Sequence, residues 1–438
     1  MQIFKDRIIE SDEAFQMAQS LIKNSMLRNI KTEYRKIFNL ADWMKTNKLE
    51  SYDLFDIQSS SLYMWLISKT GHLNSSKYFL FAAEKFLPRL SRLILRVKKK
   101  KAATTSAIYA SACFEMYEAT KNPTWMYDGV DELNWLVENK SSGYSGACWG
   151  LPFDWAMGDN VIAKTGTPYS TIMIYMIDAL LAGYRATGNS VYRDCAVSTI
   201  DFFMKDLHQE IIDENTICSA YSPLDRLKVV NVNTYVAVSL YELYKYSKND
   251  ASIVYADKLI NYVMQNQNDD GSWPYFAKNT GIPNSEDSLH QCYIIENLFR
   301  CYLINKNEDI LDAVRKGVLS FYDKFYNDGV ITKFSPINPS SKYYTLEIMD
   351  AAETVAMCEL LLKHDVFEHQ SDIAIKLRLL RSDVFHNTEK TFKIPGKPYY
   401  KSKLRMSGVD IPYMRWGLSQ WFYAMAVRYK RKSKDIFP

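Results

Sequence analysis

NTYVAVSLYELYKYSKNDASIVYADKLINYVMQNQ, residues 233–267, reads as a complete helical hairpin. Small and aromatic residues fill a first helix from Asn233. Ser247-Lys248-Asn249-Asp250 then stops and restarts the chain, and Ala251–Gln267 forms the partner. The stop works because Asn and Asp side chains accept hydrogen bonds from the free N–H groups of a new helix. The unit recurs. First helices begin near Thr104, Tyr169, Asn233, Asp287, Tyr344 and Pro412. Partners fall at Pro123–Asn139, Val191–His208, Ala251–Gln267, Glu308–Phe325 and Ser371–Phe385, with Lys77–Val97 preceding the first pair. Hairpins repeated at roughly 50–65 residues cannot bury their apolar faces singly. Closed on themselves they predict an all-α fold, an (α/α)6 toroid of six helical hairpins. The ring is expected over residues 77–438. Residues 1–76 are expected as an N-terminal helical extension packed on it, since Ser11–Leu27 and Ile30–Lys45 carry apolar residues at helical spacing.

The two ends of such a ring differ. Connections from inner to outer helices are short: Thr120 to Pro123, Thr187 to Ser190, Ser247 to Asp250 and Asn305 to Asn307. Connections back inward are long: Ser141–Pro168, Gln209–Val232, Asn268–Glu286, Asn327–Tyr343 and Asn387–Ile411. Several contain a short β piece with aromatics, as at Trp149 to Trp155, Ile217 to Tyr221, Trp273 to Phe276 and Ile331 to Phe334. Long loops gathered on one face usually carry function. Here they surround the N-terminal ends of the inner helices, whose free N–H groups and dipole suit a carboxylate or phosphate.

Composition narrows the chemistry. The chain has 438 residues, 47% of them hydrophobic, enough for one large core. Aromatics reach 14%, with 31 Tyr and 9 Trp, side chains that stack on sugar rings in a wet cleft while presenting a polar tip. Net charge is +4. Much of it is local: Arg89, Arg92, Arg96 and Lys99 recur at helical spacing, Lys98 to Lys101 run unbroken, and Arg428 to Lys434 form a second cluster. Such patches attract polyanions, acidic glycans or anionic lipid. No nucleic-acid motif is present, so nucleic acid is not an expected partner. The 7 cysteines lie in no paired spacing and read as free thiols of a reducing compartment. The N-terminus lacks the apolar run of a signal peptide, so a cytoplasmic location is expected. Leu90, Leu93, Ile94 and Val97 beside the basic residues suggest peripheral membrane contact through Arg89–Lys101.

Five stretches could carry chemistry. In Gln267-Asn268-Asp269-Asp270-Gly271-Ser272-Trp273-Pro274-Tyr275, Gly271 supplies a tight turn and Trp273 packs back or offers a sugar platform. The stretch resembles the repeat motif of squalene- and terpene-cyclase-type toroids, but the chain has no Asp-rich acid motif to go with it. Glu286-Asp287-Ser288-Leu289-His290 sets Asp287 and His290 one turn apart at a helix start, an acid/base pair with the tautomer held by the carboxylate. The alternative is a loop-bridging His. Trp149 and Trp155 flank Asp154, which fits a sugar site or a packed loop with Asp154 as turn cap. In the stretch from Tyr221 to Tyr235, Asp225, Asn231 and Asn233 could bind hydroxyls, although Asn233 also reads as a helix cap. Glu347 and Asp350 open the fifth inner helix. Tyr413, Arg415 and Trp416 open the sixth, and Arg415 either pairs with a substrate carboxylate or bridges helices. No Cys/His spacing fits zinc, and neither a metal nor a cofactor is expected.

Together the six hairpins, Trp149–Trp155, Tyr221–Asn233, Gln267–Trp273 and Asp287–His290 resemble the helical-toroid proteins that accompany bacterial surface-polysaccharide gene sets. More broadly they resemble six-hairpin glycosidases and toroidal polysaccharide lyases or epimerases, over about Ser51 to Tyr429. The resemblance implies an acidic or amino-sugar polymer, or its lipid-linked precursor, as substrate. Glycosidases of this kind use a carboxylate acid and base at the ring mouth, which implies Asp154, Asp287 and Glu347. The lyases and epimerases use a Tyr or His beside an Asn, which implies His290, Tyr221 or Tyr235, and Asn233.

The expected protein is thus a carbohydrate-active enzyme, a glycoside hydrolase or a lyase/epimerase. His290, Asp287, Asp154 and Glu347 are the expected catalytic groups. Trp149, Trp155, Tyr221, Asn233, Trp273, Tyr275, Tyr413, Arg415 and Trp416 are expected to hold the oligo- or polysaccharide. The alternatives are a non-catalytic glycan-binding scaffold of polysaccharide biosynthesis and a terpene-cyclase-like toroid.

Overall fold

The computed structural model describes residues 28–70, 87–158, 161–278, 280–282, 286–334, 347–368, 371–390, 402–404, 407–409 and 411–436. Residues 28–46 form helix α1. Ser61–Thr70 is α2 and Pro88–Ile94 is α3. The hairpins follow. Ala103–Thr120 (α4) pairs with Pro123–Glu138 (α5), and Ser170–Thr187 (α6) with Ser190–Asp201 (α7). Val230–Ser247 (α8) pairs with Asp250–Gln265 (α9), and Ser288–Asn305 (α10) with Glu308–Phe325 (α11). Ile348–Lys363 (α12) pairs with the run Asp372–Leu379 (α13), a π turn Leu380–Val384 and Phe385–Glu389 (α14). Ser419–Ile436 is α15. Helices α4, α6, α8, α10, α12 and α15 each contact the next, and α15 contacts α4, so the inner ring is closed. The fold is the (α/α)6 toroid that the repeat predicts. The predicted helix over Lys77–Val97 is seen as Pro88–Ile94; residues 71–86, the start predicted near Tyr344 and Ser11–Leu27 lie outside the described residues.

The stop-and-start signals act as read. Lys121, Gly188, Lys248 and Lys306 end α4, α6, α8 and α10 in the left-handed conformation. Each sends its N–H back to a tyrosine carbonyl, of Tyr117, Tyr184, Tyr244 and Tyr302 respectively. Three of the four are Lys, a residue that pays for positive φ. Their ammonium groups lie 5.9, 5.5 and 5.4 Å from the Tyr117, Tyr244 and Tyr302 ring centroids, a cation–π contact that offsets part of that strain. Asn122, Asn189 and Asn307 then cap the outer helices by accepting from Thr124, Val191 and Asp309 N–H.

Helix α1 lies in the outer layer. Tyr34 packs on Trp125 of α5 and on Tyr429 of α15, while Lys36 bonds Glu389 of α14 at 2.8 Å. It therefore fills the outer position between the fifth and first hairpins, burying Ile30, Ile37, Leu40, Ala41 and Met44. The loop behind it is locked by one residue. Arg92 is fully buried, with its guanidinium donating to Asp56 Oδ2 (3.2 Å), the Asp53 carbonyl (2.6 Å) and the Pro88 carbonyl (3.0 Å). Arg92 thus leaves the basic face that the sequence assigned to it. Among the described residues the strands form five two-stranded antiparallel sheets. One of them joins Glu50 to Lys101 across the two ends of this segment.

Candidate active site at the ring mouth

The long loops reach the ring mouth by one repeated device. An extended piece docks on the start of an inner helix, whose first N–H donates to a loop carbonyl: Ser170 to Tyr221, Val230 to Tyr275 and Ser288 to Lys333, at 2.9, 2.9 and 3.0 Å. These helix ends therefore spend their first donor on the protein itself, not on a substrate anion as the sequence suggested. In exchange, Tyr221, Tyr275 and Lys333 are placed at equivalent points around the rim.

Tyr221 ends an aromatic arc. Trp416 packs on Phe55, Phe55 on Trp155, Trp155 on Tyr169 and Tyr169 on Tyr221, with centroids 5.7, 5.7, 5.6 and 5.4 Å apart. Tyr275 stands edge-on to the His290 ring at 4.6 Å. Trp155, Tyr221, Tyr275 and Trp416 are half-buried, so each keeps part of its ring on the surface.

The charged groups cluster at the starts of α10 and α12. Asp287 caps α10, accepting from His290 N–H at 3.1 Å, and its other oxygen meets His290 Nδ1 at 2.5 Å. Lys333 Nζ lies 3.3 Å from Asp350 and 3.9 Å from Asp287, and Ser288 Oγ donates to Asp350 at 2.6 Å. Glu347 neighbours Asp350 and Lys333. Three carboxyls thus share one lysine, and one of them, Asp287, also holds the histidine. Burial raises the Asp287 carboxyl, but His290 and Lys333 outweigh it and hold the group well below the usual carboxylate range. For Glu347 burial wins over Lys333, and with Asp350 pressing in the same direction it is pushed up to about 7. Burial lowers the Lys333 ammonium, and Asp350, Asp287 and Glu347 more than reverse that.

Other predicted residues do not join them. Trp149 and Trp273 are fully buried. Their indole N–H groups donate to the Leu136 carbonyl (2.9 Å) and the Val263 carbonyl (3.1 Å) at the ends of α5 and α9. Both terminate outer helices and offer no face to a sugar. Asn233 is buried too, accepting from Ser219 N–H and donating to the Val229 carbonyl, both at 2.9 Å, which ties a β hairpin to α8. Tyr413 is buried beneath the Arg92 guanidinium, 5.5 Å from its centroid. Asp154 takes Thr165 N–H (2.8 Å), Thr165 Oγ1 (3.0 Å) and Lys164 (3.0 Å), the turn-cap alternative. Arg415 spends its fork on Asp53, at 2.5 and 2.7 Å, and lies 4.8 Å from the Trp416 ring. The sequence reading missed Lys333. Its signal was the extended piece Ile331 to Phe334, in the same place in the repeat as Tyr221 and Tyr275. Among the described residues, no three His, Cys, Asp or Glu side chains come together as metal ligands.

No family model matches the chain, and no curated protein matches its sequence. Solved structures match it in fold. A Listeria innocua protein aligns over 80% of this chain and 91% of its own, with a TM-score of 0.57 and 14% identity. An unsaturated glucuronyl hydrolase from Streptococcus agalactiae covers 93% of this chain and 92% of its own, at 0.55 and 13%. An α-mannanase from Bacteroides thetaiotaomicron covers 75% and 86%, at 0.54 and 13%. What these proteins share with this chain is the toroid.

Proposed function

We propose that the protein is a carbohydrate-active enzyme that hydrolyses a glycosidic bond at the ring mouth. The observation that carries this reading is the cluster at the starts of α10 and α12, where Asp287 bonds His290 and lies near Lys333 while Glu347 stands beside Asp350, surroundings that favour an ionised Asp287 and a protonated Glu347. Environments that push two titratable groups apart assign the acid and the base. Glu347 is the general acid that protonates the leaving oxygen. Asp287 fixes the Nδ1–H tautomer of His290, so that Nε2 takes the proton from the attacking water, and its charge stabilises the imidazolium that results. Trp416, Trp155, Tyr221 and Tyr275 hold the sugar chain by their faces. The toroid is also the scaffold of the hydrolases it matches, which supports the reading by analogy of fold.

The substrate class follows from charge. Lys98 and Lys100 line a small cavity beside the arc with Asp53, Asp56 and Arg415, the arginine being already paired with Asp53. This favours an acidic glycan, a surface polysaccharide or its lipid-linked precursor. Leu90, Leu93 and Ile94 on α3 are exposed beside Arg89 and Arg96, which supports peripheral contact with an anionic membrane. No described helix is long and apolar enough to cross one. The charged rim speaks against a terpene-cyclising cavity. The lyase/epimerase reading keeps His290 as base but needs no protonated Glu347.

The two are separated by pH. A general acid works only while protonated, so kcat/KM is expected to fall as pH rises through about 7, the Glu347 value. Glu347→Gln should abolish most of the activity at every pH. A rate that instead climbs through that range, or an unaffected Glu347→Gln, would remove Glu347 from the mechanism. Glycan binding with no turnover by the wild type would leave the scaffold reading.

A further inference from the structure

The six inner helices enclose a second cavity, of about 270 Å³. Its rim residues Arg185 and Lys363 are exposed and stand in the last turns of α6 and α12. It therefore opens at the end of the ring opposite Asp287 and His290. At its floor Tyr175, Tyr235, Tyr293 and Glu353 each occupy the sixth position of their helix, and so meet at one level. Glu296 lies one turn above Tyr293 on α10.

Four of the eight charged residues that line this lumen, Glu115, Asp178, Arg300 and Glu359, are in ion pairs. Asp178 holds Arg300 through two hydrogen bonds, at 2.7 and 2.8 Å, with Glu242 3.7 Å from the same guanidinium. Glu115 bonds Lys430 at 2.8 Å. Glu359 bonds Arg431 at 2.6 Å, with Arg381 and Arg428 each at 3.6 Å. Glu353 and Glu296 have no bonded cation among the described residues. Glu353 is 7% exposed, and only its Oε1 is approached, by the Tyr175 and Tyr293 hydroxyls at a long 3.4 Å. Its Oε2 accepts no hydrogen bond among the described residues. Asn297, 4% exposed, donates to Thr234 Oγ1 at 3.2 Å and leaves its own carbonyl oxygen without a donor among those residues. Burial raises both carboxyls, Glu353 to about 8 and Glu296 to about 7, Arg300 partly offsetting the latter, so a cation bound between them displaces their protons and binds more tightly as pH rises through that range.

Acceptors that open onto the lumen without a donor from the described residues can take hydrogens from a ligand there, and a positively charged one also stabilises the ionised carboxyls. The described residues gather no metal-ligand set. The Tyr235 and Tyr293 rings stand edge to face at 5.3 Å. Electron-rich faces beside unpaired carboxyls are the recognition chemistry of an alkylammonium group. The volume suits a small molecule.

We propose that this lumen is a binding site for a small organic ammonium compound, its cationic nitrogen between Glu353 and Glu296 and its carbon chain against Tyr175, Tyr235 and Tyr293. The site is separate from the mouth and does not rest on the hydrolase reading. The test is calorimetric titration of the full chain with n-butylammonium chloride and with 1-butanol, which has the same length and no charge. The wild type is expected to bind the ammonium saturably and at least about tenfold tighter than the alcohol, a difference of about 1.4 kcal/mol. Glu296→Gln/Glu353→Gln should erase that preference, while His290→Ala should retain it. Equal binding of the two probes by the wild type, or no binding of either, overturns the proposal even if the double variant fails to fold. An unchanged preference in a folded double variant overturns it as well.

Discussion

His290→Ala is expected to lower kcat by about 10²–10⁴-fold, the usual worth of a positioned general base. Melting temperature should hardly move. The ring is half-buried, packs edge-on against a half-buried Tyr275, and is not part of the core. Asp287→Asn should come close to the same loss. The amide keeps a cap oxygen for α10 but no longer holds Nδ1 protonated or balances an imidazolium. Asp154→Asn is the contrasting variant. Its carboxylate serves Thr165 and Lys164, so kcat should stay within a factor of about 2 of wild type. Steady-state kinetics on the three purified variants checks the set. Equal losses in Asp154→Asn and His290→Ala would mean that the mouth was assigned wrongly.

The second large effect concerns stability. Arg92→Ala is expected to cost about 3–5 kcal/mol, the penalty for leaving a buried charge without its partner. Asp56 stays behind, 4% exposed. Burial already pushes its carboxyl up to about 6 even with Arg92 opposing. The sign in pH follows. With Arg92 gone the carboxyl must protonate or remain as an unpaired charge, so the deficit is largest above about pH 6 and shrinks below it, where Asp56 is neutral. Arg92→Met/Asp56→Leu, which removes both charges, should recover most of the loss. Urea unfolding midpoints at acid and alkaline pH read all of this. An Arg92→Ala variant as stable as wild type would show that Arg92 is not what locks this segment.

The toroid was legible because its signals are local. A tyrosine four residues before a left-handed lysine, then Asn as cap, is written within six positions, as in Tyr302, Lys306 and Asn307. The Asp287–His290 pair was legible for the same reason, a cap and a ring three residues apart at one helix start. What could not be read depends on partners far along the chain. An indole looks the same whether it stacks on a sugar or donates to a helix-end carbonyl, so Trp149 and Trp273 read as platforms and proved to be core. Arg92 matched a basic stripe with Arg89 and Arg96, and only Asp56, 36 residues away, pulls it inside. Lys333 had no motif; a backbone bridge from Asp287 to Phe334 delivers it. Helix α1 carried a clear helical pattern, but its place in the outer layer is set by Trp125, Tyr429 and Glu389, from three other elements.

The most direct test of hydrolysis at the mouth is product mass. Wild type and Glu347→Gln would be incubated with a panel of acidic oligosaccharides, and the products analysed by mass spectrometry. The mechanism predicts wild-type fragments whose masses sum to the substrate plus one water, and intact substrate with Glu347→Gln. Fragments summing to the substrate alone would mean elimination, and no fragments from the wild type on any glycan would contradict an enzyme at this site.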